Sequence, residues 1–252
     1  MNDSVSEQVV GGLHTEAHGD LAERPLLLLH GFASHIERNW VRTGWLRALR
    51  QVGFSVLGVD MPAHGRSVGI TDPARCLPSA VMASIRDVLD HYAVQHVDVI
   101  GYSLGARMAW ELPTLMPDRI GRLVVGGLPF AEPFSALDID AVRAYLRSAE
   151  TVRDPFTAYF VRLAESVPGN DLSALVEVMD AVRAEPFDAS VSPPTVPTLV
   201  VCGTADKLAL SASEPLATLT GGSPVLIVGR DHDSAVSAIE FKTAAIRFLT
   251  ER

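Results

Sequence analysis

Val97-Asp98-Val99-Ile100-Gly101-Tyr102-Ser103-Leu104-Gly105 is the stretch on which the reading of this chain turns. An apolar run ends in the pattern Gly-x-Ser-x-Gly, and Ala106-Arg107-Met108-Ala109-Trp110-Glu111-Leu112 follows with helical spacing. By itself the pentapeptide is only a glycine-rich turn that holds a serine. Between a strand and a helix it becomes a sharp elbow. The flanking glycines let the backbone double back, and the serine between them is held in a strained conformation with its hydroxyl projecting. A hydroxyl is a poor nucleophile until a base takes its proton, so Ser103 predicts a histidine and an acid elsewhere in the chain.

Outward from this elbow, apolar strand-like runs alternate with amphipathic helical stretches. Pro25-Leu26-Leu27-Leu28-Leu29 is nearly all apolar, as a strand covered on both faces must be. A helical stretch with Trp40, Val41, Trp45, Leu46 and Leu49 on one side follows it, and Phe54 to Val59 is the next strand. A helix around Val81 to Tyr92 precedes the elbow strand. Further strands are read at Leu123 to Val125, Thr198 to Cys202 and Pro224 to Val228, and a last helix from about Ser234 to Leu249. Val9-Val10 and Leu13 to Ala17 offer one or two edge strands. This alternation predicts an α/β fold with a mostly parallel, doubly wound sheet and helices on both faces. Residues 129–192 break the rhythm with three helical patterns, Leu137 to Ala149, Pro155 to Ser166 and Asp171 to Ala184, and no convincing strand. They read as a helical lid inserted into a core domain of residues 1–128 and 193–252.

Composition narrows the function classes. The 252 residues suffice for one domain with a large core, and 48% hydrophobic against 20% charged residues is ordinary for a packed globular protein. With 21 basic and 30 acidic residues the net charge is −9, and no basic block interrupts it, so no nucleic-acid partner is expected. No apolar stretch approaches membrane-spanning length, and Met1 to Glu7 carries neither the basic region nor the apolar core of a signal peptide. Cys76 and Cys202 read as two idle thiols in a reducing, cytoplasmic compartment. Neither zinc-ligand spacing, nor a G-x-G-x-x-G after a strand, nor a P-loop is present, so no metal or cofactor is implied.

The partners of Ser103 follow from strand order. His30-Gly31-Phe32 comes directly after a strand, where the main-chain N–H of Phe32 is placed to form half of an oxyanion hole. The other half is the N–H of Leu104 at a helix N-terminus, where the dipole also favours negative charge. His232 lies in the loop after the last strand, at the end of the sheet where ligand chemistry collects, and is read as the general base. His14, His18, His35, His91 and His96 are expected at the surface, and His30 and His64 as loop supports. Asp206, in the loop after the preceding strand, is the acid expected to orient His232; Asp231, Asp233, Asp180 and Asp188 are its rivals.

The segment Asp60-Met61-Pro62-Ala63-His64-Gly65-Arg66-Ser67 is similar to the D-x-P-G-H-G-x-S turn of the α/β-hydrolase superfamily, with Ala63 in place of a glycine. With His30-Gly31-Phe32, the elbow and the order Ser103, Asp206, His232, the chain from about residue 22 onward resembles the lid-bearing esterases, C–C hydrolases and cofactor-free haloperoxidases of that superfamily. The resemblance makes the Asp60 to Ser67 turn structural. It sets aside epoxide hydrolases and haloalkane dehalogenases, whose elbow carries an aspartate, and weakens the C–C hydrolase reading, because Tyr102 stands where those enzymes usually have asparagine. It implies a serine hydrolase acting on a small-to-medium, mainly apolar ester, lactone or thioester through an acyl-enzyme. The alternatives are a C–C hydrolase or lyase using the same triad, and a ligand-sensing protein with little turnover. Phe32, Tyr102, Phe130 and Tyr159 are the expected substrate contacts, and the lid arginines 143, 147, 153 and 162 are expected to face water. The partner is then a small-molecule substrate, for a monomer or homodimer.

Overall fold

The computed structural model describes residues 5–23 and 25–251. Met1 to Ser4, Arg24 and Arg252 lie outside the described residues, and with them most of the segment read for a signal peptide.

Eight strands form one sheet: β1 (Val5–Val10), β2 (Leu13–His18), β3 (Pro25–Leu29), β4 (Ser55–Val59), β5 (Val97–Tyr102), β6 (Ile120–Gly126), β7 (Thr198–Gly203) and β8 (Val225–Ile227). Their order is β1-β2-β4-β3-β5-β6-β7-β8. The hairpin β1–β2 is antiparallel and joins β4 antiparallel, and every other pairing is parallel. Both candidate edge strands at the N-terminus therefore form.

Period-two alternation sorts the sheet residues onto two cores. Leu27 and Leu29 of β3 pack into one cluster, whereas Leu26 and Leu28 pack into the other. Helices α1 (Trp45–Gln51), α2 (Pro73–Cys76), α3 (Pro78–His91) and α4 (Leu104–Leu115) follow in the first half of the chain. α3 and α4 cover one face through Val81, Ile85, Leu89, Met108 and Leu112. Trp45 and Leu49 of α1 cover the other face, against Phe241 of the last helix. The stretch from Trp40 to Leu49 is not one helix as its periodicity suggests. Glu37–Val41 forms a single π-helical turn, and Gly44, at φ 83°, breaks the chain before α1. That left-handed position suits only glycine without strain.

Between β6 and β7 stand α5 (Ile139–Ser148), α6 (Pro155–Glu165) and α7 (Leu172–Ala184). Each begins at an aspartate whose carboxylate accepts a hydrogen bond from a first-turn N–H: Asp138 from Ala141, Asp154 from Thr157 and Asp171 from Ser173. Pro155 opens α6, where a missing N–H costs nothing. The insertion also has a neck that helical periodicity does not show. Glu132 N–H donates to the Phe187 carbonyl (2.9 Å) and Ala189 N–H to the Phe130 carbonyl (3.0 Å), an antiparallel bridge joining entry to exit. α8 (Leu210–Leu219) and α9 (Ile239–Thr250) complete the fold, α9 starting after a 3-10 turn at Ala235–Ser237 rather than at Ser234.

His14, His18 and His35 depart from their expected place at the surface. His14 is buried, because the Asp60 to Ser67 turn closes over β2: His14 N–H donates to Ser67 Oγ (2.8 Å) and Asp60 N–H to the His14 carbonyl (2.9 Å). His18 and His35 are half-buried, and His91 and His96 are exposed. Cys76 and Cys202 are free, buried thiols, and burial pushes them up to about 11 and about 12. Among the described residues no helix is long and apolar enough to cross a membrane.

Candidate active site

The chain winds from β3 outward to β4 and then crosses back past β3 to β5. The loops after β3 and β5 thus leave adjacent strands at the point where the winding reverses, which opens a crevice at the carboxyl end of the sheet. Ser103 occupies the second of these loops with φ 53° and ψ −115°, a conformation strained for a residue bearing a side chain. The two glycines are required by space as much as by conformation. A Cβ on Gly105 would lie 2.1 Å from the Leu29 carbonyl oxygen, and one on Gly101 would lie 2.4 Å from the Gly105 carbonyl oxygen. Ser103 N–H donates to the Gly126 carbonyl (2.8 Å) and its carbonyl accepts from Arg107 (3.0 Å), so the elbow is pinned on both sides.

His232 Nε2 lies 2.8 Å from Ser103 Oγ, and His232 Nδ1 lies 2.8 Å from Asp206 Oδ2. The buried Asp206 also accepts from the N–H groups of Leu208 (2.9 Å) and Ala209 (3.0 Å) through Oδ1. These bonds fix its second oxygen toward the imidazole. The ring consequently carries its proton on Nδ1 and presents a lone pair on Nε2 to the serine hydroxyl. The two supporting loops are tied together, with Ala205 N–H on the Arg230 carbonyl and Gly229 N–H on Thr204 Oγ1. The rival acids are engaged elsewhere: Asp231 with Ser234, Asp233 with Tyr159, Asp180 with Arg143 and Asp188 with Ser190. Tyr102 is nearly buried and its hydroxyl donates to the main-chain carbonyl of His232. Burial also holds that phenol well above its ordinary range, so it stays a donor.

The loop after β3 is braced from three directions. His30 Nδ1–H donates to the Gly31 carbonyl (2.8 Å) while Nε2 accepts from Met61 N–H (3.0 Å). Asn39 Oδ1 accepts from Gly31 N–H (3.2 Å), and Asn170 of the insertion donates to the Ala33 carbonyl (3.0 Å). Burial lowers His30 to about 4 and His64 to about 3, so both are neutral supports at physiological pH. Among the described residues, the N–H groups of Phe32 and Leu104 have no backbone acceptor.

Two spaces meet at Ser103. A cleft of about 240 Å³ is lined by Phe32, Tyr102, Tyr159 and His232, together with Arg38 and Arg42. On the other side of the serine, a cavity of about 30 Å³ is lined by Leu104, Phe134, Phe160, Phe187 and Leu208, with the buried pair Arg107–Glu132 (3.4 Å) at its edge. Phe130 lines neither; it faces a separate groove beside α8, because the neck bridge holds its main chain on that side. Arg143 pairs with Asp180 (3.0 Å) and Glu177 (3.3 Å), and Arg147, Arg153 and Arg162 are exposed. The cations of the cleft, Arg38 and Arg42, come instead from the π-helical turn and the residue after it. A periodicity of 3.6 does not find them, because that turn rotates side chains out of register.

With this geometry in place, likeness to known proteins is informative. Residues 24–159, more than half of the chain, match the α/β-hydrolase-fold family. The chain is 27% identical over 217 residues to the 2-succinyl-6-hydroxy-2,4-cyclohexadiene-1-carboxylate synthase of Citrobacter koseri, covering 77% of this chain and 83% of that one. It is 30% identical over 109 residues to epoxide hydrolase B of Mycobacterium tuberculosis, a match that spans 42% of this chain and only 29% of that protein. In structure it superposes on a bromoperoxidase from Bacillus anthracis with a TM-score of 0.77 at 21% identity, covering 98% and 100% of the two chains. The chain belongs to the α/β-hydrolase-fold family, and it spans only about a third to a half of the length of the epoxide hydrolases it matches.

Proposed function

We propose that this protein is a serine hydrolase that cleaves small-to-medium esters, lactones or thioesters through an acyl-enzyme. The observation that carries the reading is the continuous hydrogen-bonded line Ser103 Oγ, His232 Nε2, His232 Nδ1, Asp206 Oδ2, with 2.8 Å at both junctions. In the first step His232 takes the hydroxyl proton as Oγ attacks the carbonyl carbon, and the Asp206 carboxylate stabilises the imidazolium. The oxyanion is received by the free N–H groups of Phe32 and Leu104. His232 then gives its proton to the departing alcohol or thiol. Water repeats the sequence to release the acid and restore Ser103. A leaving group must sit where Nε2–H can reach it. His232 lines the cleft but not the small cavity, so the leaving group belongs in the cleft and the acyl part in the cavity beside Leu104. A panel of p-nitrophenyl esters from acetate to octanoate tests the reading. Turnover that disappears in Ser103→Ala supports it, and no hydrolysis of any member favours the sensing alternative.

A second reading keeps the triad for breaking a carbon–carbon bond or eliminating a small acid. The carboxylate in the name of the Citrobacter synthase and the cleft guanidinium groups of Arg38 and Arg42, the latter paired with Glu37 (3.1 Å), favour it. This second reading places an anionic group in the cleft mouth. Arg38→Ala is then expected to raise KM for a substrate whose leaving group bears a carboxylate by about tenfold, and to leave neutral esters nearly unaffected, as loss of one exposed charge contact does.

A further inference from the structure

The small cavity beside Leu104 is closed at its far end by Pro129, Pro133 and Leu208, and the same three residues line the groove that Phe130 and Phe156 face. That groove measures about 450 Å³, and Ala212 and Pro215 of α8 extend its apolar side beside the polar Lys207 and Ser211. The three spaces therefore run in series, from cleft to Ser103 to cavity to groove. Pro129, Pro133 and Leu208, which border both spaces, stand between cavity and groove. Two members of this wall are prolines with rigid rings. Leu208 is the member whose side chain can change rotamer, and it is half-buried rather than locked in the core. Its own main chain is fixed independently, because Leu208 N–H donates to Asp206 Oδ1 (2.9 Å). The side chain can thus swing without disturbing the acid.

We propose that Leu208 is a gate: the cavity seats the first carbons of the acyl group bound at Ser103, and a longer alkyl tail passes Leu208 into the groove lined by Phe130 and Phe156. This rests on the acyl-enzyme reading above and names its substrate class, acyl chains longer than the cavity itself contains. With about 30 Å³ the closed cavity has room for roughly two water-sized groups, enough for an acetyl or propionyl unit. The groove offers an apolar lining on which each further methylene removed from water strengthens binding about fourfold. Phe130 then has a part in substrate binding at a distance from the serine, on the tail rather than at the reacting carbonyl.

The test is the ratio of kcat/KM for p-nitrophenyl octanoate to that for the acetate. Leu208→Ala, which opens the wall, is expected to raise the ratio at least about tenfold, the gain from two or more newly buried methylenes. Leu208→Trp, which seals it, is expected to lower the ratio by a similar factor, and Phe130→Ala to lower it less. Circular dichroism checks that each variant is folded. A crystal structure of Ser103 carrying an octylphosphonate is expected to show the alkyl chain in the groove. A ratio that stays within twofold in folded Leu208→Ala and Leu208→Trp, or an alkyl chain lying in the cleft, overturns the gate while leaving the hydrolase intact. Failure of the wild type to hydrolyse any ester, with Ser103 unreactive to the phosphonate, overturns the hydrolase reading and the gate together.

Discussion

Ser103 sits at φ 53° and ψ −115°, a conformation that costs on the order of 1–3 kcal/mol and persists because the Gly126 carbonyl and the first turn of α4 hold both of its sides. Strain of this kind aims a hydroxyl. Ser103→Ala is expected to preserve the fold and to leave only the residual turnover supplied by binding and the oxyanion donors. Asp206→Asn is expected to lower kcat by up to ~10⁴-fold, because an amide does not hold the imidazole in the Nδ1–H tautomer. Asp233→Asn, whose carboxylate meets only Tyr159 among these groups, is expected to change kcat less than about tenfold. Parallel kinetics on the two variants decide which acid serves His232. Tyr102→Phe removes the hydroxyl that holds the His232 carbonyl and is expected to lower kcat about tenfold with KM little changed. At this scale the sequence named Ser103, Asp206 and His232 because each follows a strand, in the order such a sheet requires. It did not reveal the bond from Tyr102, which joins residues 130 positions apart, or Arg38 and Arg42, which depend on a local π turn.

The elements were read from two signals that survive without any alignment. Continuous apolar runs mark β3, β5 and β7, and helical patterning marks α5, α6 and α7, whose capping aspartates Asp138, Asp154 and Asp171 the structure adds. The break at Gly44 was missed because Trp40 and Trp45 lie on the same side, their rings packed edge to face at 5.7 Å, and so mimic one continuous helix. The neck of the insertion was missed because one bridge of main-chain bonds has no side-chain pattern. The packing of α4 against β3 allows a sharper test. Gly105→Ala would place a methyl 2.1 Å from the Leu29 carbonyl oxygen, which belongs to the sheet and has nowhere to move. A loss of about 3 kcal/mol is expected in urea unfolding, the upper end of what overpacking a core costs. A loss under about 1 kcal/mol would mean that the elbow and β3 are less closely packed.

Over the whole molecule, the sheet order brings the loops after β3, β5, β7 and β8 to one end, and the insertion closes over them through Asn170, Tyr159 and the Arg107–Glu132 pair. The buried imidazoles beneath this end couple global stability to pH. His30 and His64 are lowered from 6.5 to about 4 and about 3, so the unfolded chain takes up protons first as pH falls below 6.5. Stability is then expected to decline from pH 6.5 toward pH 4, by about 2 kcal/mol per histidine at pH 5. Thermal midpoints at pH 7, 6 and 5 are the check, and a midpoint that rises as the pH falls contradicts the burial of both rings as neutral species. The central claim, that His232 activates Ser103 as the nucleophile, is most directly tested by labelling with a fluorophosphonate and locating the adduct by mass spectrometry. The account predicts a single adduct on Ser103, absent in Ser103→Ala and formed far more slowly in His232→Ala. An adduct on another serine, or labelling of His232→Ala at the wild-type rate, would contradict it.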